Sequence, residues 1–336
     1  SNSLHAFGRE ASEVLEKARM TVAKTINCQP NEIYFTSGGT ESNNWAIFGL
    51  ARANRDKGNH IIVSAFEHPS VLEACKELEK EGFKVSYIQI GKDGLINYKH
   101  LVKLITKDTI LISVMTVNNE LGTIQPIKAI AKLAESYGIL FHTDAVQALS
   151  SIKIDVKDMG IDALSISAHK IYGPKGMGAL YIKNGTKIDR LIFGGEQERN
   201  MRAGTSNVPS IVGFAKACEL LSSNFANHDK SLAKIKKYFV NQLAEKIPNV
   251  QVNGSLINQV NNIVSVDFKN VDGEAILMLL DLAGVAVSTG AACSSGVVGG
   301  SHVIKALDPN RVKSTVWLSF SYLSTCGEID YTIKVL

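Results

Sequence analysis

Four short stretches of this chain carry side chains able to do covalent or anion-binding chemistry where apolar runs end. In Ser165-Ile166-Ser167-Ala168-His169-Lys170-Ile171-Tyr172-Gly173-Pro174-Lys175-Gly176, a lysine follows a strand-like run and precedes a Gly-Pro turn. That place holds Lys170 at a sheet edge, where partial burial lowers an ammonium pKa and makes the amine a usable nucleophile. Ser167 and His169 flank it as donors. A solvated surface lysine is the alternative, and it is the reading given to Lys175. In Ser37-Gly38-Gly39-Thr40-Glu41, main-chain N–H groups and a helix N-terminus form an anion seat, to which Thr40 adds a hydroxyl. The stretch is neither a Walker A sequence nor a full G-x-G-x-x-G, so a nucleotide is not indicated, and a tight turn with an N-cap remains open. Asp144 follows Ile139-Leu140-Phe141-His142 at the carboxyl end of a strand, where open α/β sheets bind ligands. It either pairs with a cationic ring nitrogen or caps a helix, while His142 reads as structural. Cys293 lies in Thr289-Gly290-Ala291-Ala292-Cys293-Ser294-Ser295-Gly296, a run of small residues. Buried structural cysteines sit among large apolar neighbours, as Cys75 and Cys218 do, whereas a loop cysteine can swing between a bound group and an outside acceptor. An incidental loop thiol is the competing reading.

An anion seat, a strand-end carboxylate and a strand-end lysine are together what pyridoxal 5'-phosphate (PLP) needs. The seat takes the phosphate, the carboxylate keeps the pyridine nitrogen protonated and the lysine forms the Schiff base.

The elements that must position these residues alternate up to about residue 185. Helical apolar spacing covers residues 10–26, another helix runs to about Asn54, and Pro69 opens a third. Helices also fit 97–106 and 127–137. Strands are predicted at 33–36, 60–64, 84–90, 109–115, 139–143, 163–167 and 178–183. Continuous apolar strands alternating with helices indicate a mixed, mostly parallel sheet covered on both faces. After about residue 207 the rhythm changes. Helices are predicted at 208–223, 229–246, 273–283 and 301–307, and short strands at 262–268, 285–289 and 315–321. The expected division is a large α/β domain over 1–224 and a smaller α+β domain over 225–336 that carries Cys293.

The chain has 336 residues and a formal net charge of +4, with 45% hydrophobic and 20% charged residues. No basic block points to nucleic acid, and no apolar run is long enough to span a membrane. Five widely spaced cysteines, with no Cys-x-x-Cys pair, make neither a disulfide framework nor a zinc site. A reducing, cytoplasmic setting is therefore expected, with no metal.

Nearly end to end, the chain resembles the cysteine desulfurases of the NifS/IscS type, which are class-V, fold-type-I PLP enzymes. The resemblance is carried by Ser3–Arg9, Thr36–Asn44, Glu67-His68, Val117–Gly122, Thr143–Gln147, Ser167–Lys170, Gly194-Gly195, Arg202–Thr205 and Ala291–Gly296. It implies that Lys170 carries PLP, Asp144 faces the pyridine nitrogen, His68 stacks on the ring, and Lys170 or His68 moves the α-proton as a catalytic group. Gly39, Thr40, Ser167 and His169 hold the phosphate, with Thr205 reaching across from a second subunit, and Ala168 belongs with the cofactor-binding residues. Gln147 faces the phenolic oxygen, and Asn119 holds the cofactor or the substrate carboxylate. Cys293 takes the sulfur. The implied reaction converts L-cysteine to L-alanine in a homodimer. The sulfur passes through a persulfide to an acceptor protein, either an iron–sulfur scaffold or a thiolation enzyme. Alternatives are a catalytically weak sulfur-transfer scaffold, or a selenocysteine lyase or aminotransferase on the same fold.

Two departures stand out. Trp317 and Tyr322 fall where family members often show arginine, and the second of those arginines binds the substrate carboxylate. Arg202 is the substitute anion partner. The chain also opens at Ser1, without the Asn-Asn-Ala-Thr-Thr-Pro-like segment that usually precedes the Ser-Leu-His motif, and reads as trimmed at both ends.

Overall fold

A computed structural model describes residues 5–290 and 300–336, so Cys293 and its motif over 291–296 lie outside the described residues. Two compact units emerge. The first comprises residues 1–88, 101–116 and 126–224, and the second 89–100, 117–125 and 225–336. Asn119 thus belongs to the second unit.

The first unit is built on a seven-stranded sheet. Its strands are β1 (Ile33–Thr36), β2 (His60–Ser64), β3 (Lys84–Ile88), β4 (Thr109–Ser113), β5 (Leu140–Asp144), β6 (Ala163–Ser167) and β7 (Gly178–Ile182), in the order β1-β7-β6-β5-β4-β2-β3. Only β7 runs against the rest, since it pairs antiparallel with both β1 and β6. The sheet is therefore mixed and mostly parallel, as the alternating pattern predicts. β2, β4, β5, β6 and β7 are buried at every or nearly every position, which explains why they read as unbroken apolar runs rather than alternating ones.

Helices α1 (Ala6–Thr25), α2 (Gly39–Ala53), α3 (Pro69–Lys80), α4 (Tyr98–Leu104), α5 (Ile127–Ser136), α6 (Val156–Met159) and the single turn α7 (Gln197–Asn200) punctuate these strands. Trp45, Leu50, Ile61, Val71 and Leu78 form much of the core between α2, α3 and the sheet. The next helix, α8 (Val208–Lys246), is one continuous element of 39 residues. The sequence suggests two helices here because Asn224 to His228 interrupts the apolar spacing. That stretch contains neither Gly nor Pro, so nothing breaks the backbone.

In the second unit, β8 (Val250–Val252), β9 (Ile263–Phe268) and β10 (Thr315–Ser319) make an antiparallel sheet in the order β10-β9-β8. With the end of α8, α9 (Gly273–Leu282) and the last helix, α11 (Cys326–Val335), which follows α10 (His302–Leu307) in the chain, they enclose a core around Phe239, Val264, Val266 and Leu280. The strand predicted at 285–289 is reduced to one bridge, Ser288 to Trp317. The Trp317 indole donates to the Gly290 carbonyl at 3.1 Å, which ties down the chain just ahead of Ala291.

One polar ladder crosses the middle of the first sheet. His142 is fully buried, with Nδ1 2.8 Å from Ser113 Oγ on β4 and Nε2 3.0 Å from Ser165 Oγ on β6. Burial pushes its pKa down from 6.5 to about 3. Between those values the unfolded chain binds a proton that the folded chain does not, so stability falls as pH drops through that window. His142→Gln should flatten the acid limb of the denaturant midpoint plotted against pH. An unchanged limb would place the acid sensitivity elsewhere.

Candidate active site

The carboxyl ends of β1, β2, β5 and β6 open toward one edge of the first unit's sheet, and each is followed by a residue the sequence singled out. β1 leads into the turn at Gly38, whose φ of 151° favours glycine. α2 begins at Gly39, so its first N–H groups have no partner in the preceding turn. A Cβ on Gly39 would lie 2.6 Å from Val146 Cγ2, so only glycine permits this approach of the turn to β5's exit. A cavity of about 360 Å³ opens here. Its walls include Gly38, Gly39, Thr40, Ser167 and His169. Ser167 Oγ lies 2.8 Å from His169 Nδ1. Desolvation, then the charges of Lys170 and Lys175, lower the His169 pKa and favour the neutral ring. Hydroxyls, helix N–H groups and nearby lysines make this a donor-rich cradle for a phosphate.

β5 ends at Asp144, which is 4% exposed. Its Oδ2 accepts from Asn43 Nδ2 at 2.6 Å and its Oδ1 from the Val146 N–H at 2.9 Å. Burial raises its pKa; the Val146 N–H, the charge of His68, the Asn43 amide and the charge of Lys170 work against that. A buried carboxylate of this kind is stabilised by a cation brought against it. Asn43 also donates to Ser70 Oγ at 2.9 Å, and Ser70 Oγ lies 2.8 Å from His68 Nδ1. Nδ1 accepts from the Ser70 N–H as well, so a neutral His68 carries its proton on Nε2. His68 is the N-cap of α3, with Pro69 at the first helical position. Glu67, wholly buried, accepts from Ser64 Oγ and from the Met115 N–H, which fixes the β2–α3 turn between β2 and β4. Burial pushes its pKa up to about 8.

Lys170 sits in a 3-10 turn (Ala168–Ile171) directly after β6. The sequence reading expected partial burial; instead Lys170 is exposed, because the turn lifts it off the sheet. Ala168 is buried beneath it and Gln147 is half-buried beyond Asp144. Thr205 is exposed. In the second unit, Asn119 is half-buried, and the Tyr322 ring stacks on His228 at 4.0 Å. Arg202 is already paired within the chain. Its Nε and Nη2 engage Glu41 at 2.8 and 2.9 Å, so its fork already holds a carboxylate of this chain.

Residues 1–332 match the family model described as aminotransferase class-V. The chain belongs to this family. A cysteine desulfurase IscS of Dictyoglomus turgidum is 47% identical over 337 residues, covering all of this chain and 86% of that protein. A solved NifS-like protein superposes with a TM-score of 0.93 at 36% identity, covering 99% of this chain and 89% of that one. SspA, solved in complex with cysteine, gives a TM-score of 0.84 at 35% identity, covering 96% and 91%. The family and fold are those of PLP-dependent enzymes.

The residues present fit that cofactor. The glycine-lined cradle would take its phosphate, and the buried Asp144 carboxylate would meet its pyridinium nitrogen. Asn43 Oδ1 is buried without a hydrogen-bond partner beside Asp144, as expected of a site shaped for a polar group. Asn43 and Ser70 received no role from the sequence alone. Asn43 falls one helical turn after Gly39, on the face of α2 turned to the sheet, which was the available signal. Gly39→Ala should weaken PLP binding by overpacking Val146, at a cost of about 1–3 kcal/mol. Equilibrium titration of the apoprotein with PLP reads this, and an unchanged affinity would mean that Val146 yields.

Proposed function

We propose that this chain is a cysteine desulfurase that converts L-cysteine to L-alanine and carries the sulfur away on Cys293. The observation that carries this reading is that Asp144, Lys170, His68 and the Gly38–Thr40 cradle all lie at carboxyl ends of strands of one sheet. Family membership and full-length similarity to proteins named cysteine desulfurase add the substrate.

When bound, PLP supplies an electron-withdrawing ring that makes the Cα–H bond of an attached amino acid acidic. The chain's own residues do the rest. Asp144 holds a proton at the ring nitrogen by lending it a buried counter-charge. His68 would cover the ring, with its orientation set through Ser70 and Asn43. Lys170, exposed in the turn after β6, or His68 takes the α-proton and later returns a proton. The Cys293 thiolate attacks the substrate sulfur: an S–S bond forms, the Cβ–S bond breaks, and its electron pair stays with the alanine portion. Cys293 then bears a persulfide, which an acceptor thiol relieves.

Cys28, Cys75 and Cys218 are poor substitutes. Burial, with the charge of Glu32, pushes Cys28 up to about 12; burial pushes Cys218 up to about 12 and raises Cys75 still further. Cys326 is exposed on α11. All four are free thiols, which suits a reducing compartment such as the cytoplasm. No helix among the described residues is long and apolar enough to cross a membrane. The exposed Thr205 suits a homodimer in which it completes the partner's phosphate site. The sulfur acceptor belongs to iron–sulfur cluster assembly or tRNA thiolation. In this reading the large PLP domain covers 1–224 and the smaller domain, over 225–336, carries Cys293.

Two substitutions test the reading. Lys170→Ala should abolish the visible absorbance of the lysine-bound cofactor and alanine formation together. Cys293→Ala should keep that absorbance and lose sulfide release. Full sulfide release from Cys293→Ala would refute the persulfide route.

A further inference from the structure

Two ion pairs of like construction fasten segment 194–205 to the phosphate cradle. Glu198 accepts from Arg19 Nη1 at 2.6 Å and Nη2 at 2.9 Å, and its Oε2 also accepts from the Phe35 N–H of β1 at 3.0 Å. Glu41 accepts from Arg202 through both oxygens, and its Oε2 also accepts from the Ser37 N–H at 2.8 Å. Each carboxylate thus joins an arginine to a main-chain N–H on either side of Thr36. Thr36 Oγ1 in turn bonds within the Gly38 turn. Arg199 adds a bond to the Ile33 carbonyl at 2.7 Å and covers the Tyr34 ring.

The segment needs such fastening. Glu198, Arg199 and Asn200 have φ of 47°, 57° and 64°, three left-handed residues in a row, none of them glycine. Non-glycine residues stay in this region only where their surroundings over-determine them. The Arg19–Glu198 pair does so, with Arg19 2% and Glu198 9% exposed. Removing one partner would leave the other charge buried and unmatched. None of these four residues has a part in the chemistry described above.

We propose that Glu198 and Glu41 are positioning residues which, through Arg19 and Arg202, clasp segment 194–205 onto the turn that holds the cofactor phosphate, so that cofactor retention depends on the clasp. This rests on the PLP reading of the cradle. The same clasp sets Thr205, three residues beyond Arg202, and so couples the cradle to whatever Thr205 meets.

PLP dissociation constants of the full chain, reconstituted from apoprotein, test this for wild type, Glu198→Gln, Arg202→Lys, Arg202→Glu and the double swap Arg202→Glu/Glu41→Arg. Glu198→Gln and Arg202→Lys should each weaken PLP binding about tenfold, a difference of about 1.4 kcal/mol. Glu198→Gln should keep kcat at saturating PLP within about twofold, because the clasp sets retention and not chemistry. The swap should recover part of what Arg202→Glu loses, which assigns the loss to the pair, while weaker PLP binding at unchanged kcat and native circular dichroism separates positioning from a general structural loss. Affinities within about twofold of wild type in both Glu198→Gln and Arg202→Lys, with native circular dichroism, would overturn the proposal. If Glu198→Gln does not fold, Arg202→Lys decides alone, since it keeps the charge at a half-buried site. A wild-type chain that takes up no PLP would sink the reading of the cradle as well, which separates the two failures.

Discussion

The carboxylate of Asp144 is held in ionisable form inside the first unit by a few directed contacts, and the surrounding architecture is organised around that demand. Burial opposes its charge, while the Val146 N–H, the Asn43 amide and the nearby charges of His68 and Lys170 favour it. Each of those groups comes from a different place in the chain: the exit of β5, the second turn of α2, the N-cap of α3 and the turn after β6. A parallel sheet supplies this arrangement naturally, because its strands deliver their carboxyl ends to one edge. A carboxylate so buried is stabilised by a cation brought against it.

The cradle and the carboxylate are held by separate means. Glycine at 38 and 39 lets the β1–α2 turn approach Val146, and the helix N-terminus supplies the donors. Ion pairs to Arg19 and Arg202 then hold the following segment in place. Burial, then hydrogen bonds from Arg202 and the Ser37 N–H, act on Glu41 in opposite senses, and the bonds win, leaving its pKa below the ordinary value. That carboxylate is therefore an anion committed to the protein. Arg202 is equally committed, so its service as a substrate anchor would have to compete with a bidentate partner already in place. In the second unit, half-buried Lys236 donates to the Gln259 side chain and the Val260 carbonyl, and Gln259 donates to the Leu121 carbonyl. These bonds brace the segment that bears Asn119.

Much of this could be read before folding was considered. The alternation of apolar runs announced the mixed sheet, and Gly38-Gly39-Thr40, Asp144 and Lys170 stood out because each ends a strand. Local patterning was enough there, since strand ends and turns have their own residue signatures. It misled at Asn224–His228, where the apolar spacing breaks within a continuous helix, and at 285–289, where a strand-like composition found only one bridging partner. Arg19 was legible in hindsight: it falls on the buried stripe of Leu15, Val22 and Ile26, where a charge needs a partner.

Sequence by itself therefore determined the class of fold, the family and the short list of reactive groups, because these depend on residue type and near-neighbour spacing. Tertiary structure alone decided the partners. Asn43 reaches Asp144 across 101 positions, Glu198 reaches Arg19 across 179, and Glu41 claims Arg202 across 161. Contacts so distant in the chain leave no periodic trace, since they are fixed by how strands and helices pack, and that packing is what turned a list of candidate residues into a site.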